Sequence, residues 1–185
     1  MRRRGIPRRK RILFACEGES EQSYGTLLHR LVEHNGRLHI DAVIPPPGGG
    51  DPLAIIDRSI RFLHARQSSR APYLVRAVIL DADKRGENPQ RDRQIDPLAS
   101  RHDLHVIWQS PCHEAFLLRH VAGQQTLRPS TSKEAHDRLA SVWKDYRKGS
   151  PTAFLLKYIG LDEIALACQV EQELQRFLQA ISYFS

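Results

Sequence analysis

Short apolar runs alternate with amphipathic stretches along this chain, and the alternation sets out its elements. Ile12-Leu13-Phe14-Ala15-Cys16 is unbroken and apolar, the pattern of a strand buried on both faces of a parallel sheet. Glu17-Gly18-Glu19-Ser20 interrupts it. Tyr24, Leu27, Leu28, Leu31 and Val32 then recur at helical spacing as far as Asn35-Gly36, where a glycine suits a helix end. Leu38, Ile40, Ala42 and Ile44 alternate as a strand with one buried face does. Pro45 to Gly50, three prolines followed by three glycines, can support neither helix nor ladder and reads as a loop. Asp51-Pro52 opens the next helix as N-cap and first-turn proline, with Leu53, Ile56, Ile60 and Leu63 as its apolar stripe. A third strand covers Val75 to Leu80 and stops at Asp81-Ala82-Asp83. A polar loop and helix lead to about Arg101, and Leu104 to Trp108 forms a fourth strand. Beyond Ser110-Pro111 the pattern is helical, over about 113–122, 132–146 and 162–182.

Strands alternating with helices predict an α/β fold, a four-stranded parallel sheet flanked by helices, followed by a helical C-terminal extension. The chain divides into a basic tail (1–11), an α/β core (12–110) and the extension (111–185) packed on it. At 185 residues these form one domain with one core.

Composition narrows the setting. Hydrophobic residues at 41% and charged residues at 26% are ordinary for a folded domain and argue against wholesale disorder. No apolar run approaches the roughly 20 residues of a membrane span, and the N-terminus lacks the apolar region of a signal peptide. Cys16, Cys112 and Cys168 are odd in number and far apart, without a CxxC pair. Neither a disulfide framework nor a structural zinc site is expected, and the cytoplasm is the expected compartment. The formal net charge is +7, and seven of the first eleven residues are basic: Arg2, Arg3, Arg4, Arg8, Arg9, Lys10 and Arg11. Such a block can be merely a solvated tail. It also suits a nucleic-acid backbone, where each phosphate contact releases counterions.

Ligands of an open parallel sheet bind beyond the carboxyl ends of its strands. Glu17 follows the first strand, and Asp81 and Asp83 end the third. Residues two apart on an extended chain point the same way, so the two aspartates can face one site. Three carboxylates there repel one another unless a cation neutralises them, and an all-oxygen donor set suits Mg²⁺ or Mn²⁺. Gly18 is placed to permit a tight strand-to-helix turn and the close approach of a phosphate. Taken alone, a DxD is common and a solvated turn explains most examples, and an EG pair says almost nothing. Their joint position on the first and third strands lifts them above that background.

The segments CEGESEQSY (16–24) and VILDADK (78–84) together resemble the Toprim domain of topoisomerases, primases and OLD-type nucleases, where EG and DxD motifs bind Mg²⁺ for phosphoryl transfer. More closely, the chain resembles the RloB-like family of phage-resistance proteins, whose pattern adds S-x-P-x-FE-x-W-x-LLH after the fourth strand. Here that block reads SPCHEAFLLRHV (110–121). Glu114, Leu118 and His120 match, while Phe116 stands for the Trp, His113 stands for the Phe, and the spacing residue after Ser110 is missing or shifted. YRKG (146–149) is loosely similar to the family's C-terminal region. The resemblance spans about 12–181. It implies a Toprim-like, Rossmannoid fold and a defence-linked nuclease, with Glu17, Asp81 and Asp83 as ligands of Mg²⁺ or Mn²⁺ and Glu21 as a supporting acid. An ATPase or other defence protein is an expected partner, as relatives often need one.

Further candidates surround these. Glu114 opens a helix on the same sheet edge and suits either the metal site or the helix dipole. His113 and His120, seven apart, share one helix face and could move a proton, although a satisfied histidine is the commoner case. Lys84 and Arg85, with Arg91, Arg93 and Arg101, make the region after the DxD basic. The expected function is a Mg²⁺-dependent endonuclease that contacts nucleic acid through Arg2, Arg3, Arg4, Arg8, Arg9, Lys10, Lys84 and Arg85. Two alternatives stay open: a nucleic-acid- or partner-binding subunit with a degenerate site, and a DxD nucleotide-sugar transferase, against which the EG motif counts. DNA and RNA are equally open as substrate, as is a homo-oligomer.

Overall fold

The computed structural model describes residues 9–66 and 72–184. Strands β1 (Lys10–Cys16), β2 (Leu38–Val43), β3 (Val75–Asp81) and β4 (Leu104–Gln109) form one parallel sheet in the order β2-β1-β3-β4. Helices α1 (Glu19–Val32), α2 (Pro52–Arg66) and α3 (Pro89–Arg101) carry the three crossovers. Alternate residues of β1 serve opposite faces. Ile12, Phe14 and Cys16 enter a core with α1, whereas Ala15 packs with Ile55, Ile56 and Ile60 of α2 and Ile95 and Ala99 of α3. Both faces are covered, which is why β1 is apolar from Ile12 to Cys16. Gly25 brings α1 close to the sheet, since a Cβ there would stand 2.6 Å from the Phe14 ring and 2.9 Å from Ala42 Cβ.

The C-terminal third consists of α4 (His113–Leu118), α5 (Ser132–Val142), α6 (Thr152–Leu155), α7 (Leu161–Cys168) and α8 (Gln172–Ala180). These helices belong to the core of the sheet. Leu139, Trp143, Leu155, Ile164, Leu174 and Phe177 join the α1-side cluster, and the Phe14 and Phe177 ring centroids lie 5.5 Å apart. The Tyr183 hydroxyl donates to the Leu28 carbonyl at 3.0 Å, closing the layer over α1.

Several boundaries differ from the sequence expectation. The helix expected to reach 122 stops at Leu118, and the one expected to reach 146 stops at Val142, where Trp143 turns extended (φ −110°, ψ 96°). Trp143 and Tyr146 are buried all the same. The span 162–182 divides into α7 and α8, and the break presents Glu171 to Arg119 at 2.8 Å. Arg119 is 1% exposed. A buried guanidinium requires such a partner, and a continuous helix stripe gives no sign of it. The tail ends earlier than residue 11: β1 begins at Lys10, and Arg11 pairs with Asp41 at 2.6 Å. Arg9 and Lys10 are exposed, while Arg2, Arg3, Arg4 and Arg8 lie outside the described residues. Among the described residues no helix is long and apolar enough to cross a membrane.

Candidate metal centre

From β1 the chain crosses to β2 on one side, and β3 lies on the other. A crevice therefore opens between the carboxyl ends of β1 and β3. Glu17 and Asp81 stand at those ends, and the Asp81 N–H donates to Glu17 Oε2 at 3.4 Å. Glu21, buried in the first turn of α1, accepts the Gly18 N–H at 3.0 Å. Glu114, buried in the first turn of α4, accepts the Tyr146 hydroxyl at 3.3 Å. Burial first, and then the charges of Glu21, Glu17, Asp83 and Glu114, push Asp81 up to about 8. Glu17 is raised as well, chiefly by burial and further by Glu21 and Asp83, against lowering by the Asp81 N–H and Lys84. Burial and the Glu114 carboxylate raise the Tyr146 phenol. An ordinary aspartate titrates near 3.9, so the crevice favours the uncharged form of Asp81 or a compensating cation.

The residues present fit a divalent cation. Asp81 Oδ1 is buried and has no hydrogen-bond partner. Its carboxylate neighbours are hard oxygen donors of the kind Mg²⁺ and Mn²⁺ take. Yet among the described residues no three His, Cys, Asp or Glu side chains already stand close enough to grip one ion. The expected convergence of Glu17, Asp81 and Asp83 is therefore only partly met. The chain stops being extended at Asp81: the Ala82 N–H turns to the Gln109 carbonyl at 2.9 Å, and Asp83 lies exposed in the following turn. The rule that residues two apart point together does not carry across that bend. Asp83 acts on Asp81 and Glu17 through its charge.

The other expected residues divide. Lys84 donates to the Gly50 carbonyl at 2.9 Å and stands 3.9 Å from Glu17 Oε1, so it belongs to the rim of the crevice. The Arg85 guanidinium covers the Trp108 ring at 4.7 Å. Gly18 is in extended backbone (φ −150°), which other residues adopt, so the tight turn does not require it. Positive φ is instead found at Gly48, Gly49 and Gly50 (85°, 56° and 108°), where other residues are strained. This loop reaches the crevice, with the Gly49 N–H donating to the Glu17 carbonyl at 3.0 Å. His120 is not in the crevice. Its Nε2 meets the Tyr24 hydroxyl at 2.9 Å and its Nδ1 the Phe116 carbonyl at 3.1 Å, and burial pushes it down to about 3. It is a neutral core residue, outside α4, and does not share a helix face with His113. His113 does adjoin the acids, with Nδ1 3.7 Å from Glu21 Oε1; burial holds it neutral, against the pull of Glu21 and Glu114.

Three contributors were not among the expected site residues, although Tyr146 and Gly149 lie in the YRKG segment that resembles the family. Gln109 is fully buried and pairs in register with Asp81, and its Nε2 lies 2.6 Å from His113 Nδ1. Tyr146 comes from the segment after α5. Gly149 donates its N–H to Ser20 Oγ at 3.1 Å, fastening the same segment to the start of α1. A count of register from the acidic strand end could have found Gln109.

A four-stranded parallel sheet with acids at the switch between β1 and β3 defines a Rossmann-like α/β domain of the Toprim type. The RloB-like protein family matches residues 12–181, nearly the whole chain. The chain belongs to that family, and membership fits a defence-related role. No curated protein and no solved structure matches it.

Proposed function

We propose that this protein is a metal-dependent nuclease of the Toprim type that hydrolyses nucleic-acid phosphodiester bonds in antiphage defence. Asp81 carries the reading: a carboxylate oxygen buried without a partner, among four other carboxylates that raise its pKa. Glu17 and Asp81 would hold Mg²⁺ or Mn²⁺, with Asp83 closing the rim. A divalent cation bound there supplies a water of lowered pKa and neutralises charge on phosphate oxygens. The chain's own residues do the rest. Lys84 meets the phosphate backbone at the rim, Arg85 over the Trp108 ring offers a further cation beside it, and the arginines of the tail add sequence-independent affinity. Tyr146 orients Glu114 through its hydrogen bond. Without a cation, the acidic crevice would repel phosphate.

The test is incubation with single-stranded DNA, duplex DNA and tRNA in Mg²⁺ or Mn²⁺, with and without EDTA, alone and beside an ATPase or other defence partner. Cleavage by the parent, lost in EDTA and in Glu17→Ala, is the expected result. Equal cutting by Glu17→Ala would refute it. One observation favours a second reading, a binding subunit with a degenerate site: among the described residues no three metal-ligating side chains have closed together. Nucleic-acid binding unchanged by EDTA, with every substrate uncut, would select it.

A further inference from the structure

We propose that Gln109 is an additional, neutral oxygen ligand of this centre, and that His113 is the residue that positions it. The proposal rests on the metal reading above.

Gln109 is 0% exposed, and its Oε1 has no hydrogen-bond partner. It pairs in register with Asp81, whose Oδ1 is likewise buried and unpartnered. Side chains of register partners leave the same face of a sheet, on strands about 4.8 Å apart. Two acceptors thus stand side by side with no donor between them. Buried acceptors are almost always satisfied, and each exception calls for a reason. Here Glu17, Glu21, Asp83 and Glu114 bring further negative charge to the same place. A proton on Asp81 would relieve one of those charges, whereas a divalent cation relieves two and takes both oxygens as ligands. An amide carbonyl suits Mg²⁺ or Mn²⁺ and adds a donor without adding a sixth negative charge.

His113 fixes which end of the amide faces the crevice. Its ring is 2% exposed, and in the tautomer that leaves Nδ1 unprotonated it accepts from Gln109 Nε2 at 2.6 Å. With the amide nitrogen engaged there, the oxygen turns away from the imidazole. His113 is itself held between the Phe116 ring, stacked at 6.3 Å, and the edge of Tyr24 at 6.2 Å. An imidazole locked by packing can orient a ligand as outer-shell partners do at known metal sites, where their removal lowers metal affinity about 10- to 100-fold.

The experiment is calorimetric titration with MnCl₂ alone, on the parent, Gln109→Met, His113→Phe and the double variant. Circular dichroism and thermal melting in EDTA verify folding. We expect Gln109→Met to weaken Mn²⁺ binding at least about 10-fold and His113→Phe to weaken it less. The double variant should be no weaker than Gln109→Met, because His113 acts through Gln109. A Gln109→Met titration within about twofold of the parent overturns the proposal, and so do losses that multiply in the double variant. If Gln109→Met does not fold, His113→Phe decides. The aromatic setting accepts its ring, and parent-like affinity there refutes the positioning role. A parent that binds no Mn²⁺ removes the metal reading and this proposal together, and is told apart by its own blank titration.

Discussion

Replacing Asp81 with Asn should stabilise the metal-free protein while abolishing its response to metal. Asp81 titrates near 3.8 when unfolded and near 8 in the fold. For an acid whose folded pKa is raised, the folded state keeps a proton that the unfolded state has lost. Stability therefore falls as pH rises through the window between those values, by about 1.4 kcal/mol per pH unit. About three units of that window are crossed by neutral pH, which sets an upper bound of about 4 kcal/mol. The carboxylate is incompletely enclosed and solvent screens part of this, so the expected gain from the uncharged amide is about 2 kcal/mol. In a chain of this size that is a rise in Tm of about 4–8 °C. The assay is thermal melting of parent and Asp81→Asn in EDTA at pH 4 and pH 8, repeated with Mn²⁺. The variant should melt higher at pH 8, the gap should close at pH 4, and only the parent should gain from Mn²⁺. A variant less stable than the parent at pH 8, or a gap indifferent to pH, would refute the electrostatic account.

Gly25→Ala should destabilise the fold by about 1–3 kcal/mol despite alanine's better helix propensity, because its methyl would press on Phe14 and Ala42; chemical denaturation would show it, and an unchanged midpoint would disprove the close approach. His120 has a depressed pKa near 3, so the unfolded state takes up a proton first as pH falls below about 6.5 and stability is lost between there and pH 3. His120→Gln should flatten that acid limb in a melting series, and a parallel curve would count against a neutral buried imidazole. Deleting residues 1–9 removes Arg2, Arg3, Arg4, Arg8 and Arg9. It should make nucleic-acid binding less steeply salt-dependent, by about 0.9 in log–log slope for each phosphate the tail had neutralised, so an identical slope would leave the tail no part in binding.

The sheet was legible because strands buried on both faces carry unbroken apolar runs, as Ile12–Cys16 of β1 and Ala77–Leu80 of β3 do. Glu17 and Asp81 were legible for the complementary reason that charge ends such a run at the edge where ligands bind. What failed depended on pairings far apart in sequence. The break between α7 and α8 answers to Arg119, some fifty residues earlier, and no glycine or proline marks it. Asp83 does not share the orientation expected of it, because a strand rule was carried two residues past the end of β3. Gln109 escaped notice because a polar residue at a strand end looks like ordinary termination until its partner across the ladder is known.

The burial of Phe14 against Phe177 also bears on how the protein is made. The two are 163 residues apart (177 − 14). At roughly 5–20 residues per second of synthesis, the first strand waits on the order of 10–30 s for the helix that seals it. During that interval the inward faces of β1 and α1 lack their C-terminal cover and are a natural surface for a chaperone. Glu21 likewise waits for Glu114 and Tyr146 to emerge behind it. The nascent chain thus carries acids that have not yet been gathered, and whatever chemistry the crevice performs begins only once the C-terminal helices are in place.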